Sequence, residues 1–230
     1  MALLPSLICA AMAYAQEHPA TLLKKLKKVN SSPTITYDYT VKLVDANNGQ
    51  ITDSIMGRIY KNGQDYLDSN NVTIIAIQNG YYINLNNFKK SATILDVGLV
   101  REKLDLTDEE MTRDIVSIPD SLILKYGKIK NELTTDNYKI QISFSELQFT
   151  TITMVVDRKS LILKDMAIES NEYESGTAGL PRYKKLYHIY NIRYVVDKKA
   201  INIGRYFQVH NKGIVLNRKY SGYQINTITK

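Results

Sequence analysis

The stretch that decides the fold is residues 34–97, TITYDYTVKLVDANNGQITDSIMGRIYKNGQDYLDSNNVTIIAIQNGYYINLNNFKKSATILDV. Segments rich in Ile, Val, Tyr and Thr alternate there with the dipeptides Asn48-Gly49, Asn62-Gly63 and Asn79-Gly80. Such dipeptides accept positive φ at both central positions of a type I′ hairpin turn. The stretch therefore predicts directly connected antiparallel strands in a curved sheet. The apolar face of that sheet must be either covered or used for binding.

The first predicted strand of this stretch shows the clearest alternation between an apolar and a polar face of the sheet. Its apolar residues alternate strictly with polar ones, which predicts one buried face and one wetted face; they are Ile35, Tyr37, Tyr39, Val41 and Leu43. In the next strand, Gly57 predicts a bulge or a sharp bend that helps the sheet to curl. A second group of strands is predicted from Tyr138 onward, including a hairpin through residues 157–160.

Two segments outside the strands are predicted to cover the sheet. Residues 17–29 place apolar side chains at helical spacing, with four lysines mostly on the other side; the apolar positions are Leu22, Leu23, Leu26 and Val29. This helix either packs on the sheet with its lysines in solvent or binds a membrane surface through them. Residues 99–117 are rich in charge and contain a capping-box spacing at 107–110, which predicts a helical insertion between the two groups of strands.

The first fifteen residues have the pattern of a secretory signal peptide. They are mostly apolar, carry no charged side chain and end in Ala13-Tyr14-Ala15, which predicts cleavage after Ala15. They lack the usual basic residue after Met1. The only cysteine, Cys9, falls inside this segment, so a mature chain of residues 16–230 has no disulfide. A large exported chain of this kind favours the periplasm of a Gram-negative bacterium, and its length suits a single domain.

The sequence offers no recognisable catalytic or metal-binding motif. His18, His188 and His210 have no partner at metal-ligand spacing, and neither a nucleophile elbow nor a phosphate-binding glycine loop occurs. We interpret the acidic residues at 109–110 and 172–174 as structural. The sequence thus predicts a non-enzymatic protein without a cofactor or metal. The formal net charge of +7 is mostly scattered, and an exported protein is not expected to bind nucleic acid.

The order of elements resembles the periplasmic lipoprotein-carrier family, LolA-like with its LolB-like relatives. Residues 36–43 resemble the first long strand of that family, and Gly57-Arg58-Ile59-Tyr60-Lys61 resembles the second. Residues 77–84, IQNGYYIN, are similar to the strand, turn and aromatic strand that follow. The hairpin at 152–168 and the closing Tyr220-Ser221-Gly222-Tyr223 are also similar, so the resemblance covers most of residues 17–230.

The resemblance implies a mainly β, α+β fold: an unclosed antiparallel β-barrel covered by the short N-terminal helix and the central helical insertion. Its concave apolar face is expected to hold acyl chains of a lipoprotein or another lipid, with the helices as a lid. Envelope membrane proteins are the expected donor or acceptor, and the protein is expected to be a monomer. The residues expected to line the cavity are Leu22, Leu26, Ile35, Tyr37, Tyr39, Val41, Ile55, Ile59, Ile74, Ile83 and Leu85.

One position departs from the family pattern. The arginine that latches the lid in that family aligns near Asn62 of this chain. Lipoprotein trafficking as such is therefore in question, whereas carriage of some other lipid stays open. The alternative function is a non-enzymatic interaction or scaffold protein of the cell envelope, with the same fold and a filled core. An open apolar cavity or a solidly packed core would separate the two.

Overall fold

The computed structural model describes residues 19–30, 32–98, 127–144, 149–170, 173–174, 182–197, 199–210 and 213–228. The predicted signal peptide and the predicted helical insertion at 99–117 lie outside these residues. The helix predicted at 17–29 is confirmed as α1, Pro19–Asn30. No helix within the described ranges is long and apolar enough to cross a membrane.

The remaining elements are mostly strands, as predicted. They are β1 (Thr34–Asp45), β2 (Ile51–Asn62), β3 (Asp65–Asn70), β4 (Thr73–Gln78), β5 (Tyr81–Asn86), β6 (Ser91–Asp96), β7 (Gly127–Leu133), β8 (Asn137–Phe144), β9 (Phe149–Asp157), β10 (Leu163–Ser170), β11 (Tyr173–Glu174), β12 (Arg182–Arg193), β13 (Phe207–His210), β14 (Gly213–Leu216) and β15 (Gln224–Ile228). Two short 3₁₀ turns lie at Ile203–Arg205 and Arg218–Tyr220.

Thirteen of these strands form one long sheet. Its order is β15-β6-β5-β4-β3-β2-β1-β12-β10-β9-β8-β7, with β11 paired to β12. The pairing of β1 with β12 joins the two groups of strands, and β15 and β7 remain at opposite edges. The predicted unclosed antiparallel sheet is thus confirmed. One strand departs from the expected meander, because β15 crosses back and pairs in parallel with β6.

The hairpin turns follow the predicted chemistry only in part. Asn79 and Gly80 have φ of 53° and 79° and connect β4 to β5 as a two-residue turn, so the type I′ prediction is confirmed there. At Asn62-Gly63 it is wrong, because Asn62 pairs with Asp65 and the turn residues are Gly63 and Gln64. Of these, only Gly63 has a positive φ. The connection at Asn48-Gly49 is longer than two residues, since β1 ends at Asp45 and β2 begins at Ile51.

Strand pairing assigns each residue of the first half to one side of the sheet, because directly opposed residues point to the same side. Tyr37 pairs with Ile59, and Ile59 pairs with Asp68. We call their side the helix face, since Leu22 and Leu26 of α1 pack on it. The opposite side, carrying Leu67, Ala76 and Ile83, is called the hairpin face. The C-terminal segment, residues 199–223 with the β13–β14 hairpin, packs against that side.

The expectation of a single apolar face is therefore wrong for β3 to β6. The buried side chains of these strands on the hairpin face are Leu67, Ile74, Ala76, Ile83, Leu85, Ala92 and Ile94. The C-terminal segment contributes Ile201, Ile203, Tyr206, Phe207, Leu216 and Tyr220. Gln78 ties this segment down, because its side chain donates to the carbonyl of Ile201 at 2.8 Å and accepts from the amide of Ile203 at 3.1 Å. Both ends of the molecule thus cover the sheet, on opposite faces.

Candidate functional site

The helix face carries an apolar cluster whose buried residues come from α1 and six strands of the sheet. From the first half it contains Ile35, Tyr37, Tyr39 and Ile59, with Leu22 and Leu26 of α1 above them. The second half of the sheet supplies nearly all the rest: Ile140, Ile142, Phe144, Ile152, Val156, Leu163, Met166, Ile168 and Ile189. These residues were not among the expected lining, although their alternation along β8, β9 and β10 was visible in the sequence.

The expected lining residues do not all share this cluster. Leu22, Leu26, Ile35, Tyr37, Tyr39 and Ile59 are buried in it, and Val41 and Ile55 pack partly buried against it. Ile74, Ile83 and Leu85 lie on the hairpin face under the C-terminal segment. The expected lining therefore belongs to two separate cores. The reason is a shift of one residue in the choice of face for β4 and β5, which turns the whole chosen set to the other side.

The helix-face cluster is tightly packed where α1 covers it. Leu22, Tyr37, Ile152 and Ile189 have no accessible surface at all. A side chain without accessible surface borders no void that would admit a water molecule. Leu22 of α1 and these sheet residues are therefore closely packed at this point.

The C-terminal end of α1 is held by one side chain. Asn30 Nδ2 donates to the carbonyl of Leu161 at 2.9 Å, and Asn30 Oδ1 accepts from the amide of Leu163 at 3.0 Å. The hydroxyl of Tyr194 also donates to Asn30 Oδ1. Asn30 thus connects the helix to the β9–β10 turn and to the segment after β12, at the point where the chain leaves the helix for β1.

The resemblance aligns the latch arginine of the lipoprotein-carrier family near Asn62. Asn62 Oδ1 accepts a hydrogen bond from Thr34 Oγ1 at 3.1 Å, and the two residues pair at the ends of β1 and β2. Thr34 lies three positions before Tyr37 in β1, and side chains alternate between the two faces along a strand. Thr34 and its partner Asn62 therefore point to the hairpin face. Asn62 therefore joins two strands on the side of the sheet away from α1.

A polar cluster interrupts the helix face on β1 to β3. The Tyr39 hydroxyl donates to Asp68 Oδ1 at 2.8 Å, and Asn70 Nδ2 donates to the Tyr39 hydroxyl oxygen at 2.9 Å. Burial raises the pKa of Asp68 above its ordinary value, against the hydrogen bonds from Tyr39 and Asn70. Burial also raises the pKa of Tyr39, with the nearby Asp68 carboxylate acting in the same direction.

Gly57 makes room for this cluster. A Cβ at Gly57 would lie 2.7 Å from Cζ and from the hydroxyl oxygen of Tyr39, and 2.7 Å from Cβ of Asn70. Pairing of β1 with β2 is regular through Gly57, and the irregularity lies between Leu43 and Val44. The predicted bulge at Gly57 is thus wrong: the glycine serves the close approach of the Tyr39 ring.

An ion pair between the buried Asp38 and the half-exposed Arg58 lies on the other side of β1. Asp38 was expected on a wetted face but is only 9 % exposed. Arg58 Nη2 donates to Asp38 Oδ2 at 2.9 Å, and Asn191 Nδ2 donates to the same oxygen at 2.8 Å. The hydrogen bond from Arg58 is the largest of the influences that hold the pKa of Asp38 below its ordinary value.

This pair predicts a pH dependence of stability. A carboxylate with a lowered pKa in the folded state stabilises the fold above its unfolded pKa, and that contribution is lost as pH falls through the folded value. The Arg58→Gln variant is expected to be less stable than the parent at pH 7. The deficit should shrink as pH falls below about 4, where the unfolded carboxyl is protonated. Urea unfolding at pH 7 and pH 3 measures it, and a deficit that stays constant contradicts the assignment.

An opening lies on the side of the sheet away from α1. A cavity of about 320 Å³ opens over β1, β9, β10 and β12. Its lining includes Thr40, Thr153, Ala167 and His188, which pair across these strands on the side opposite Tyr39 and Ile189. His188 Nε2 lies 2.7 Å from Asp165 Oδ2 and its ring stacks on Tyr190. Across the described part of the chain, no three His, Cys, Asp or Glu side chains are grouped to hold a metal.

Comparison with known proteins gives structural neighbours only. No protein-family model matches the chain, and no curated protein matches it. A LolA superfamily protein from Nitrosomonas europaea is 7 % identical with a TM-score of 0.33, covering 80 % of this chain and 97 % of that one. An outer membrane lipoprotein-sorting protein domain from Vibrio parahaemolyticus is 10 % identical with a TM-score of 0.33, covering 81 % and 97 %.

A further neighbour is the MucA/MucB complex of Pseudomonas aeruginosa. It is 8 % identical with a TM-score of 0.36, covering 80 % of this chain and 60 % of that one. The Nitrosomonas europaea protein belongs to the LolA superfamily, the group that the sequence resembles. At these identities and TM-scores the likeness carries no argument about what the chain binds, so the function is argued from the helix face.

Proposed function

We propose that the protein is an exported, non-enzymatic carrier of the periplasm that binds an acyl chain of a lipoprotein or another lipid on the helix face, with α1 as its lid. The observation that carries this proposal is the apolar cluster on the helix face, which is drawn from β1, β2, β8, β9, β10 and β12. Among the described residues, the 12-residue helix α1 contributes Leu22 and Leu26 to it as buried side chains and Leu23 as a partly buried one.

The energetics favour exchange of that cover for a ligand. Fully burying one leucine side chain contributes about 1.5–3 kcal/mol, so the two leucines together contribute about 3–6 kcal/mol. Burial of an acyl chain contributes about 0.8 kcal/mol for each methylene, or about 8 kcal/mol for ten of them. Burial of a chain of ordinary lipid length therefore outweighs the burial of Leu22 and Leu26.

The proposal includes the partners expected of such a carrier. The ligand is an acyl chain, and membrane proteins of the envelope would deliver or receive it. Neither a cofactor nor nucleic acid has a role in this scheme, and the carrier would act as a monomer. Asn62 is engaged with Thr34 on the hairpin face, so closure of the lid would depend on Asn30 instead.

A second candidate function is an envelope interaction or scaffold protein with a permanently filled core. The observation that favours it is the complete burial of Leu22 and Tyr37 beneath α1. The two candidates differ in one property: a carrier opens this core to an apolar ligand, whereas a scaffold does not. Binding of Nile red, a neutral apolar dye, to the purified chain separates them.

The Asn30→Ala variant tests the lid. Loss of the hydrogen bonds from Leu163 and Tyr194 and to Leu161 should ease the opening of α1, since each such bond is worth about 1 kcal/mol. Stopped-flow mixing with Nile red is expected to show association at least about fivefold faster than for the parent, because 1.4 kcal/mol is a factor of ten. The matched control is Asn47→Ala, at an exposed turn position. Equal rates for parent, variant and control would contradict the lid.

A further inference from the structure

The helix face changes character beyond Ile59. Asp68 of β3 pairs with Ile59 on one side and with Ile75 of β4 on the other. Ile75 pairs with Asn84 of β5, which in turn pairs with Thr93 of β6. One cross-strand row therefore runs from Tyr37 and Ile59, which belong to the same apolar cluster as Leu22 and Leu26 of α1, into Asp68, Ile75, Asn84 and Thr93. The apolar cluster and a polar end share a single face.

Asp68 has an unused acceptor. Its Oδ1 accepts from Tyr39 at 2.8 Å and lies 3.5 Å from Asn70 Nδ2. Within the described ranges, no donor reaches Oδ2. The fold has little need of a carboxylate here, since an amide oxygen would accept the Tyr39 hydrogen bond equally well. Burial raises the pKa of Asp68, so the ionised side chain lowers stability rather than adding to it.

Asn84, two strands away from Asp68, also has a side-chain oxygen without a hydrogen-bond donor among the described residues. Its Oδ1 is buried and has no hydrogen-bond partner there. A buried acceptor without a partner destabilises the fold. Adjacent strands lie about 4.8 Å apart, so Asp68 and Asn84 are about 10 Å from one another. Both offer oxygen acceptors, and Ile75 lies between them.

We propose that Asp68 and Asn84 bind the polar end of the acyl ligand, and that this end donates hydrogen bonds through hydroxyl or ammonium groups. This inference rests on the proposed carrier function and names its ligand class. The acyl chain lies in the apolar cluster under α1, and the head reaches along the row to the two acceptors. A carboxylate or phosphate head is disfavoured, because it has no donor for these oxygens and is repelled by Asp68.

Displacement of Nile red from the mature chain tests the assignment. Four ligands share one chain length: 1-monomyristoylglycerol, tetradecylamine, myristate and methyl myristate. The first two are expected to displace the dye at concentrations at least about tenfold lower than methyl myristate, since a charge-assisted hydrogen bond is worth about 1.5–3 kcal/mol. Myristate is expected to bind no better than the ester. The glyceride and the amine distinguish hydroxyl from ammonium recognition.

Two variants locate the effect. Asp68→Asn should remove the preference for tetradecylamine, and Asn84→Ala should weaken the preference for the glyceride, while methyl myristate binds as before. The matched control, Asp53→Asn, changes an exposed carboxyl of β2 and should change nothing. Asp68→Asn should melt no lower than the parent at pH 7. A clearly lower melting temperature, with all ligands weakened equally, overturns the assignment.

The two proposals fail in different ways. If all four ligands displace the dye equally in the parent and in both variants, the head-group assignment is overturned and the carrier function stands. If none of them displaces the dye, or the dye does not bind, the carrier function is overturned and the head-group assignment falls with it.

Discussion

Replacement of Gly57 by alanine is expected to destabilise the protein by about 3 kcal/mol or more, which is the upper part of the range for overpacking combined with lost hydrogen bonds. The added Cβ would meet Tyr39 and Asn70 at 2.7 Å. The Tyr39 ring cannot move aside freely, since its hydroxyl is bonded to both Asp68 and Asn70. Chemical denaturation followed by circular dichroism measures the loss.

A control variant and a double-mutant cycle test whether the contact with Tyr39 causes this loss of stability. Gly222→Ala meets nothing within 4 Å and is expected to change stability by less than about 0.5 kcal/mol. Tyr39→Leu removes the obstructing phenol and leaves the contact with Asn70 Cβ, so Gly57→Ala should cost less in that background without becoming neutral. An equal cost in both backgrounds would mean that the Tyr39 contact is not the reason for glycine at this position.

Replacement of Leu22 by aspartate is expected to detach α1 from the sheet. Leu22 has no accessible surface, and an unpaired carboxylate at such a position costs several kcal/mol, more than two leucines contribute. The helix should therefore leave the cluster, and the exposed apolar residues should bind Nile red more tightly and faster than the parent. Fluorescence titration measures the affinity, and circular dichroism confirms that the strands persist.

Lys24→Asp is the matched control, since it places the same carboxylate on the exposed side of α1. It should leave dye binding unchanged. Global unfolding of the Leu22→Asp variant, with loss of the strand signal, would show that the sheet does not stay folded when α1 is detached. That outcome supports the filled-core scaffold and contradicts the lid.

Prediction from sequence succeeded where a strand is apolar on one side only. In β1 the apolar residues alternate with Thr36, Asp38, Thr40 and Lys42, and the structure places Tyr37 and Tyr39 on the helix face accordingly. In β4 the run from Ile74 to Ile77 is continuously apolar. A strand buried on both faces shows no alternation, so the sequence had no means of deciding which of Ile74 and Ile75 faces α1.

The covers were also predictable only in part. The apolar stripe of residues 22, 26 and 29 was strong enough to place α1, because helical periodicity is a local signal. The C-terminal segment folds through short pieces, such as the turn at Ile203–Arg205 and the four-residue β13, none long enough to show a period. Its docking depends on distant partners such as Gln78. The parallel pairing of β15 with β6 likewise depends on a long-range crossover.

The sequence did not identify Asp68 and Asn84 as candidate binding residues, because their position on one face depends on the strand register. Asp68 and Asn84 stand in short strands next to turn residues, where Asp and Asn are ordinary. Only the strand register shows that Asp68, Ile75 and Asn84 form one row on the face that α1 covers. The departure at Asn62 was visible in the sequence, whereas its position on the far side of the sheet required the structure.

The most direct test of the central claim uses the absence of tryptophan from the chain. Tyr66→Trp places a single reporter against the helix-face cluster, and Tyr81→Trp places a matched reporter against the hairpin-face cluster. Quenching by a bromine-labelled acyl ligand, 1-(11-bromoundecanoyl)glycerol, shows which face the chain occupies. The carrier proposal predicts saturable quenching of the Tyr66→Trp reporter and none at Tyr81→Trp. Quenching of neither reporter, or equal quenching of both, would contradict it.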